Sequence, residues 1–200
     1  MNYAELKTTV ADWLARSDLT SVIPTFISLT ETELDRILDA PERETFATAL
    51  TGEDYIQLPL FYELRRLAID ETHELQVITP EQLFVVAPKL PKTGKPKYVV
   101  VGSNSLELWP KPDGEYTYSI LYKERIPSLS DDNPTNWLLS KHPDVYLYGA
   151  LTHSAPYLHH DERIGVWSTK YSNIVQQINK ATERQQYPTS GWKTYLKNVV

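Results

Sequence analysis

Cysteine is absent from the 200 residues, which excludes disulfide staples, thiol nucleophiles and cysteine-based zinc sites together. Glycine is scarce: the seven present form neither G-x-G-x-x-G nor a Walker loop, which removes the usual nucleotide-binding motifs. No serine sits in a G-x-S-x-G elbow, and no H-E-x-x-H spacing occurs. Apolar runs stop well short of the ~18 residues of a membrane span. Met1-Asn2-Tyr3-Ala4-Glu5 lacks the basic start and apolar run of a signal peptide, so the expectation is a soluble protein made in a cytoplasm. Basic residues are outnumbered by acids, 20 to 26, and the net charge of −6 argues against a dedicated nucleic-acid binder.

What is present is enough for a sizeable core, since 41% of residues are hydrophobic. The charge is unevenly spread. Residues 1–54 carry four Lys/Arg against eleven Asp/Glu, a balance of −7, while residues 163–200 carry six against one, a balance of +5. An acidic front and a basic tail suit head-to-tail contacts between copies or an acidic partner, and an uneven solvated surface gives the same imbalance.

Two helices open the chain. Leu6, Val10, Trp13 and Leu14 recur at helical spacing until Ser17-Asp18 breaks them. A second helix is predicted from a cap at Thr20-Ser21, with Pro24 in its first turn and a stripe of Ile23, Phe26, Ile27, Thr30, Leu34, Ile37 and Leu38 ending at Pro41. Residues 44–126 change character. Ile56/Leu58, Leu67/Ile69 and Leu75/Val77 alternate, and Tyr98–Val101 and Leu106/Leu108 flank a Gly102-Ser103-Asn104 turn. Tyr116, Tyr118, Ile120 and Tyr122 share one strand face. Thr79-Pro80-Glu81-Gln82-Leu83-Phe84 reads as a capped helical turn. Half of the fourteen prolines and four of the seven glycines lie here, as a small antiparallel β-domain requires.

Helical spacing then returns. Asn136-Trp137-Leu138-Leu139 predicts a short helix stopped at His142, and Pro143 starts another with Val145, Leu147, Tyr148, Leu151 and Leu158 buried. Asp161-Glu162 fall in the first turn of a last helix carrying Ile164, Trp167, Tyr171, Ile174, Ile178 and Ala181, stopped by Pro188. The fold class expected is α+β. Residues 1–43 and 127–187 form a discontinuous helical core, 44–126 an inserted β-rich domain, and 188–200 an extended tail. Trp192, Lys193, Tyr195 and Lys197 on that tail suit docking to another surface, or folding back on their own domain.

Candidate chemistry is thin. His159-His160-Asp161-Glu162 with His153 cluster metal-ligand types, but adjacent residues on a helix point apart, so the run reads as a solvated linker. Asp131-Asp132-Asn133 lacks the alternate spacing of a calcium loop and reads as a turn. The pairs Glu31/Glu33 and Glu42/Glu44 read as exposed surface. Trp109-Pro110-Lys111-Pro112 beside Tyr116, Tyr118 and Tyr122 could form an aromatic face for a sugar or peptide, or the inner face of a small sandwich. No catalytic, cofactor or metal residue is assigned.

Three stretches nonetheless resemble a known family. They are Val10–Leu19 with Ile23-Pro24-Thr25-Phe26-Ile27 and Glu31–Arg36; Leu106–Pro112 leading to Tyr116-Thr117-Tyr118; and Asn136–Leu139 with His142–Leu151, Ala155–Leu158, Trp167 and Tyr171. In order and spacing they resemble the head-to-tail connector, or tail adaptor, proteins of bacteriophages. The resemblance implies a non-enzymatic virion protein at the head–tail interface, without cofactors and without a membrane. It implies a ring, commonly of twelve copies, under the portal and above a downstream tail or nozzle protein. Duplex DNA would pass through the ring at genome ejection without specific binding. The resemblance also gives the tail residues Trp192, Lys193, Tyr195 and Lys197 the task of gripping the portal.

Overall fold

A computed structural model of the chain describes residues 1–158 and 162–186. The chain opens with helices α1 (Tyr3–Leu14) and α2 (Ile23–Ile37). Strands β1 (Glu44–Thr51), β2 (Tyr55–Gln57), β3 (Phe61–Ile69), β4 (His73–Glu74) and β5 (Gln76–Ile78) follow, then a short helix α3 (Pro80–Val86). Strands β6 (Tyr98–Val101), β7 (Ser105–Trp109) and β8 (Tyr116–Glu124) complete the β part, and α4 (Trp137–Lys141), α5 (Pro143–His153) and α6 (Arg163–Gln186) close the described chain. The fold is α+β. Its contacts divide it into a helical unit, Met1–Pro41 with the described residues from Ile126 onward, and a β-unit, Glu42–Arg125.

In the helical unit, α1 starts on a capping box. Asn2 Oδ1 accepts from Glu5 N–H at 2.9 Å, and Glu5 Oε2 accepts from Asn2 N–H at 3.0 Å. The helix ends on Ala15 in the left-handed region, φ 53°. The expected cap at Thr20-Ser21 does not form. Thr20 Oγ1 donates backward to Ser17 C=O at 2.9 Å, within a 3₁₀ turn, so α2 starts at Ile23 behind Val22 without a side-chain cap. Ile23, Phe26, Ile27, Thr30, Leu34 and Leu38 are buried, but Ile37 is exposed. The chain turns extended at Leu38, which brings that residue inward in place of Ile37. Trp13 also stays partly exposed, edge-on to Tyr148 at 5.8 Å.

The closing helices differ in detail from their predicted faces. On α5 the core side is Val145, Tyr146, Gly149, Ala150 and Leu151, while Leu147 and Tyr148 are half-buried. On α6 the buried residues are Trp167, Tyr171, Val175, Ile178 and Thr182, a 3.6-residue period that leaves Ala181 outside. Glu162 precedes the first turn of α6 rather than lying in it. His159, His160, Asp161 and Pro188 lie outside the described residues.

The β-unit is two four-stranded sheets, ordered β1-β8-β3-β4 and β2-β7-β6-β5. Leu67, Ile69, Tyr118, Ile120 and Tyr122 of one sheet share a core with Ile56, Val99, Leu106 and Leu108 of the other. The second sheet is mixed rather than purely antiparallel. β5 runs parallel to β6, because α3 carries the chain across between them. Thr79 caps α3 in a box with Gln82 as predicted, and β6 and β7 pair around Gly102-Ser103-Asn104. Val77 points outward, unlike Leu75. Alternation does not mark β1 in the sequence, for its inward positions are Ala47 and Ala49 while Phe46 and Leu50 face outward.

Candidate functional site

α2 carries Glu31 and Asp35 one helical turn apart, so both side chains leave on one face. The chain returning from the β-unit lands on them. Asp35 Oδ1 accepts from Ile126 N–H at 2.9 Å, and Glu31 Oε1 accepts from Leu129 N–H at 2.8 Å. Between these two stitches, Asn136 takes over. Its Nδ2 donates to Pro127 C=O at 2.7 Å and to the Tyr146 hydroxyl at 2.8 Å, while its Oδ1 caps α4 by accepting from Leu139 N–H at 2.7 Å. Tyr146 completes the circuit by donating to Glu31 at 3.4 Å. None of the buried side-chain atoms of Glu31, Asn136 or Tyr146 is left without a hydrogen-bond partner, which is what keeps such a cluster from costing stability.

Glu31 is thus buried, not exposed as its sequence context predicted. Burial pushes its carboxyl pKa up, against the Leu129 and Tyr146 hydrogen bonds that pull it down. Burial likewise pushes the Tyr146 hydroxyl well above its ordinary value. The signal was present in the spacing: Glu31 lies between Ile27 and Leu34 on the apolar stripe, and a carboxylate there needs partners. Glu33 is also less free than predicted, with its Oε2 2.9 Å from His153 Nε2. A second set of stitches ties the end of α2 to α6. Asn179 accepts from Asp39 N–H at 2.9 Å and donates to Ile37 C=O at 2.9 Å, and Thr182 Oγ1 donates to Asp39 C=O at 2.7 Å.

α2 and α5 meet closely at Gly149. A Cβ built there would sit 2.3 Å from Thr30 Cγ2 and 3.1 Å from the Tyr171 ring. Only hydrogen fits at this position.

The β-unit offers surface rather than polar machinery. Phe46 is 80% exposed and Leu50 67%, both on the outer face of β1. Beside them lies a groove of about 460 Å³ floored by Thr48, Ala68 and Ser119 and walled by Phe46, Leu121 and Arg66. On α3, Phe84 is 80% exposed and Val85 62%. Of the two readings of the aromatic strand, Tyr118 and Tyr122 follow the inner face of a sandwich: both lie in its core, with burial pushing the Tyr118 hydroxyl up to about 12. Arg43 is buried as well. It donates through Nε to Glu124 C=O at 3.0 Å and stacks 4.9 Å from the Tyr62 ring.

Among the described residues no group of three or more His, Asp or Glu could hold a metal ion. No helix among them is long and apolar enough to cross a membrane. The tail residues Trp192, Lys193, Tyr195 and Lys197 lie outside the described residues. Compared with known families, residues 1–192 match the model described as "SU10 adaptor protein". No curated protein matches the chain.

Proposed function

The chain belongs to the SU10 adaptor protein family, and from that premise we propose that it forms a ring beneath the portal that carries the DNA channel from head to tail. Membership makes it a structural adaptor of a phage virion that meets portal and tail proteins. The observation that carries the reading is the extent of the match, 192 residues of 200.

The ring contact is head-to-tail, one face of each subunit meeting a different face of the next, and about twelve copies close it. The acidic first 54 residues and the basic stretch after residue 163 supply opposed charge for that contact, which sets register and approach more than affinity. Acids lining the channel let duplex DNA slide, because binding to phosphate comes from Lys and Arg. At the other end, Trp192, Lys193, Tyr195 and Lys197 grip the portal, with the two aromatics as anchors and the two lysines as the charged rim. No catalytic step is part of this role. The clamp around Glu31, Asn136 and Tyr146 suits it, since it fixes the point where the chain re-enters the helical unit.

Light scattering and negative-stain microscopy, with and without purified portal, test the reading. Rings, or portal-triggered assembly lost on removing residues 189–200, are expected. A monomer indifferent to portal overturns it, and so does tight, salt-sensitive binding of the free protein to duplex DNA.

A further inference from the structure

Each sheet ends in two edge strands, and β1 differs from the other three. β4 has two residues, β2 and β5 have three each, and β1 has eight. Its pairing with β8 is unbroken from Glu44↔Lys123 to Thr51↔Tyr116, and among the described residues no strand lies on its other side. Long open edges are ordinarily guarded by lysine, proline or a bulge. Glu44-Thr45-Phe46-Ala47-Thr48-Ala49-Leu50-Thr51 has none of these, and its single charge is at the first residue. The outward Phe46 and Leu50 leave the same strand apolar on its solvent face.

We propose that this edge is closed by a second copy of the chain, β1 against β1, antiparallel about a two-fold axis through Thr48. The strand itself names the occupant, because from Thr45 to Thr51 it reads nearly the same in both directions. With Thr48 facing Thr48, Ala47 faces Ala49, Phe46 faces Leu50 and Thr45 faces Thr51. The outer face then gains two aromatic–aliphatic pairs around a threonine pair, all favourable cross-strand combinations. A one-residue slip would set the outer face of one sheet beside the core face of the other, so the register is specified. The other edges, at two or three residues, are too short to take β1 along its length.

A two-fold contact uses the same patch on both copies and stops at two. It therefore belongs to the subunit outside the ring proposed above, and it does not rest on that reading.

The absence of native cysteine makes the test direct. Partners across an antiparallel pair lie ~4.5–5.5 Å apart at Cα, within disulfide reach. In the 200-residue chain under mild oxidation, Thr48→Cys should crosslink to a dimer. Leu50→Cys, displaced from its own symmetry mate, should crosslink roughly tenfold less. An equimolar mixture of Phe46→Cys and Leu50→Cys should give the mixed dimer. Unmodified protein should scatter light as a dimer, and Phe46→Lys as a monomer with an unchanged circular dichroism spectrum. A monomeric unmodified protein overturns the proposal. So does equal crosslinking at positions 48 and 50, which marks random collision. Crosslinking at Thr48 without portal-dependent rings would leave this pairing standing and remove the ring.

Discussion

The helical unit and the β-unit handle exposed chain in opposite ways. Where the chain re-enters the helical unit, its backbone N–H groups at Ile126 and Leu129 meet carboxylates of α2, and Asn136 and Tyr146 close the gap between them. Polar groups there are buried and partnered. The β-unit packs an apolar interior between two sheets and keeps apolar groups outside: among the described residues no strand pairs with the outer side of β1, Phe46 and Leu50 face outward from it, and Phe84 and Val85 stand exposed on α3. A protein that must hold one shape while meeting several partners has use for both arrangements. The first gives rigidity and the second gives places to bind.

Substitutions should separate the two units by the size and kind of their effects. The largest loss is expected in the clamp, where Asn136→Ala removes three hydrogen bonds and uncaps α4. At ~1 kcal/mol per bond this amounts to about 3 kcal/mol, measurable as a lower urea midpoint with an unchanged slope. A loss under ~1 kcal/mol would show that the cluster does not hold the re-entry point.

Next comes Gly149→Ala, which forces a methyl into Thr30 and should cost about 1–3 kcal/mol by overpacking. Combining it with Thr30→Ser, which removes the clashing Cγ2, should recover much of that loss. Failure to recover would place the strain at Tyr171 instead.

The third prediction concerns pH. The buried Glu31 carboxyl has a pKa above its ordinary 4.5, so between that value and the raised one the folded state holds more protons than the unfolded. Its contribution is fully present below 4.5 and is lost as pH rises through the folded pKa. Denaturation midpoints should therefore rise for this group as pH is lowered from neutral, and Glu31→Gln should flatten that segment of the curve. Identical pH profiles for the two proteins would mean that Glu31 titrates as if exposed.

The smallest effect on stability belongs to the β-unit surface. Phe84→Ser replaces an exposed side chain on a helix with no buried residues, and should move the midpoint by less than ~0.5 kcal/mol. A larger shift by chemical denaturation would show that α3 packs more than it exposes.

Periodicity and punctuation carried much of the fold. The cap at Thr79 is legible as a local motif, because a capping bond spans only three residues. Tyr118, Ile120 and Tyr122 announced their strand by alternation. Misreadings arose where distant chain decides. Strand β1 hid because its core face is alanine, and it exists through its pairing with β8, some seventy residues away. Glu31 reads as surface in the sequence because its partners, Leu129 and Tyr146, lie about a hundred residues on.

The α+β composition, the capped turn at Thr79, the turn at Gly102-Ser103-Asn104 and the order of motifs that marks the family were all within the reach of the sequence. These depend on dihedral preference, short-range hydrogen bonds and side-chain period, all set within a few residues. The tertiary structure alone decided the parallel β5–β6 pair, the hydrogen-only space at Gly149, the burial of Glu31 and the open edge of β1. Each of those depends on which remote surface arrives opposite a residue, and that is a property of packing, which local sequence does not carry.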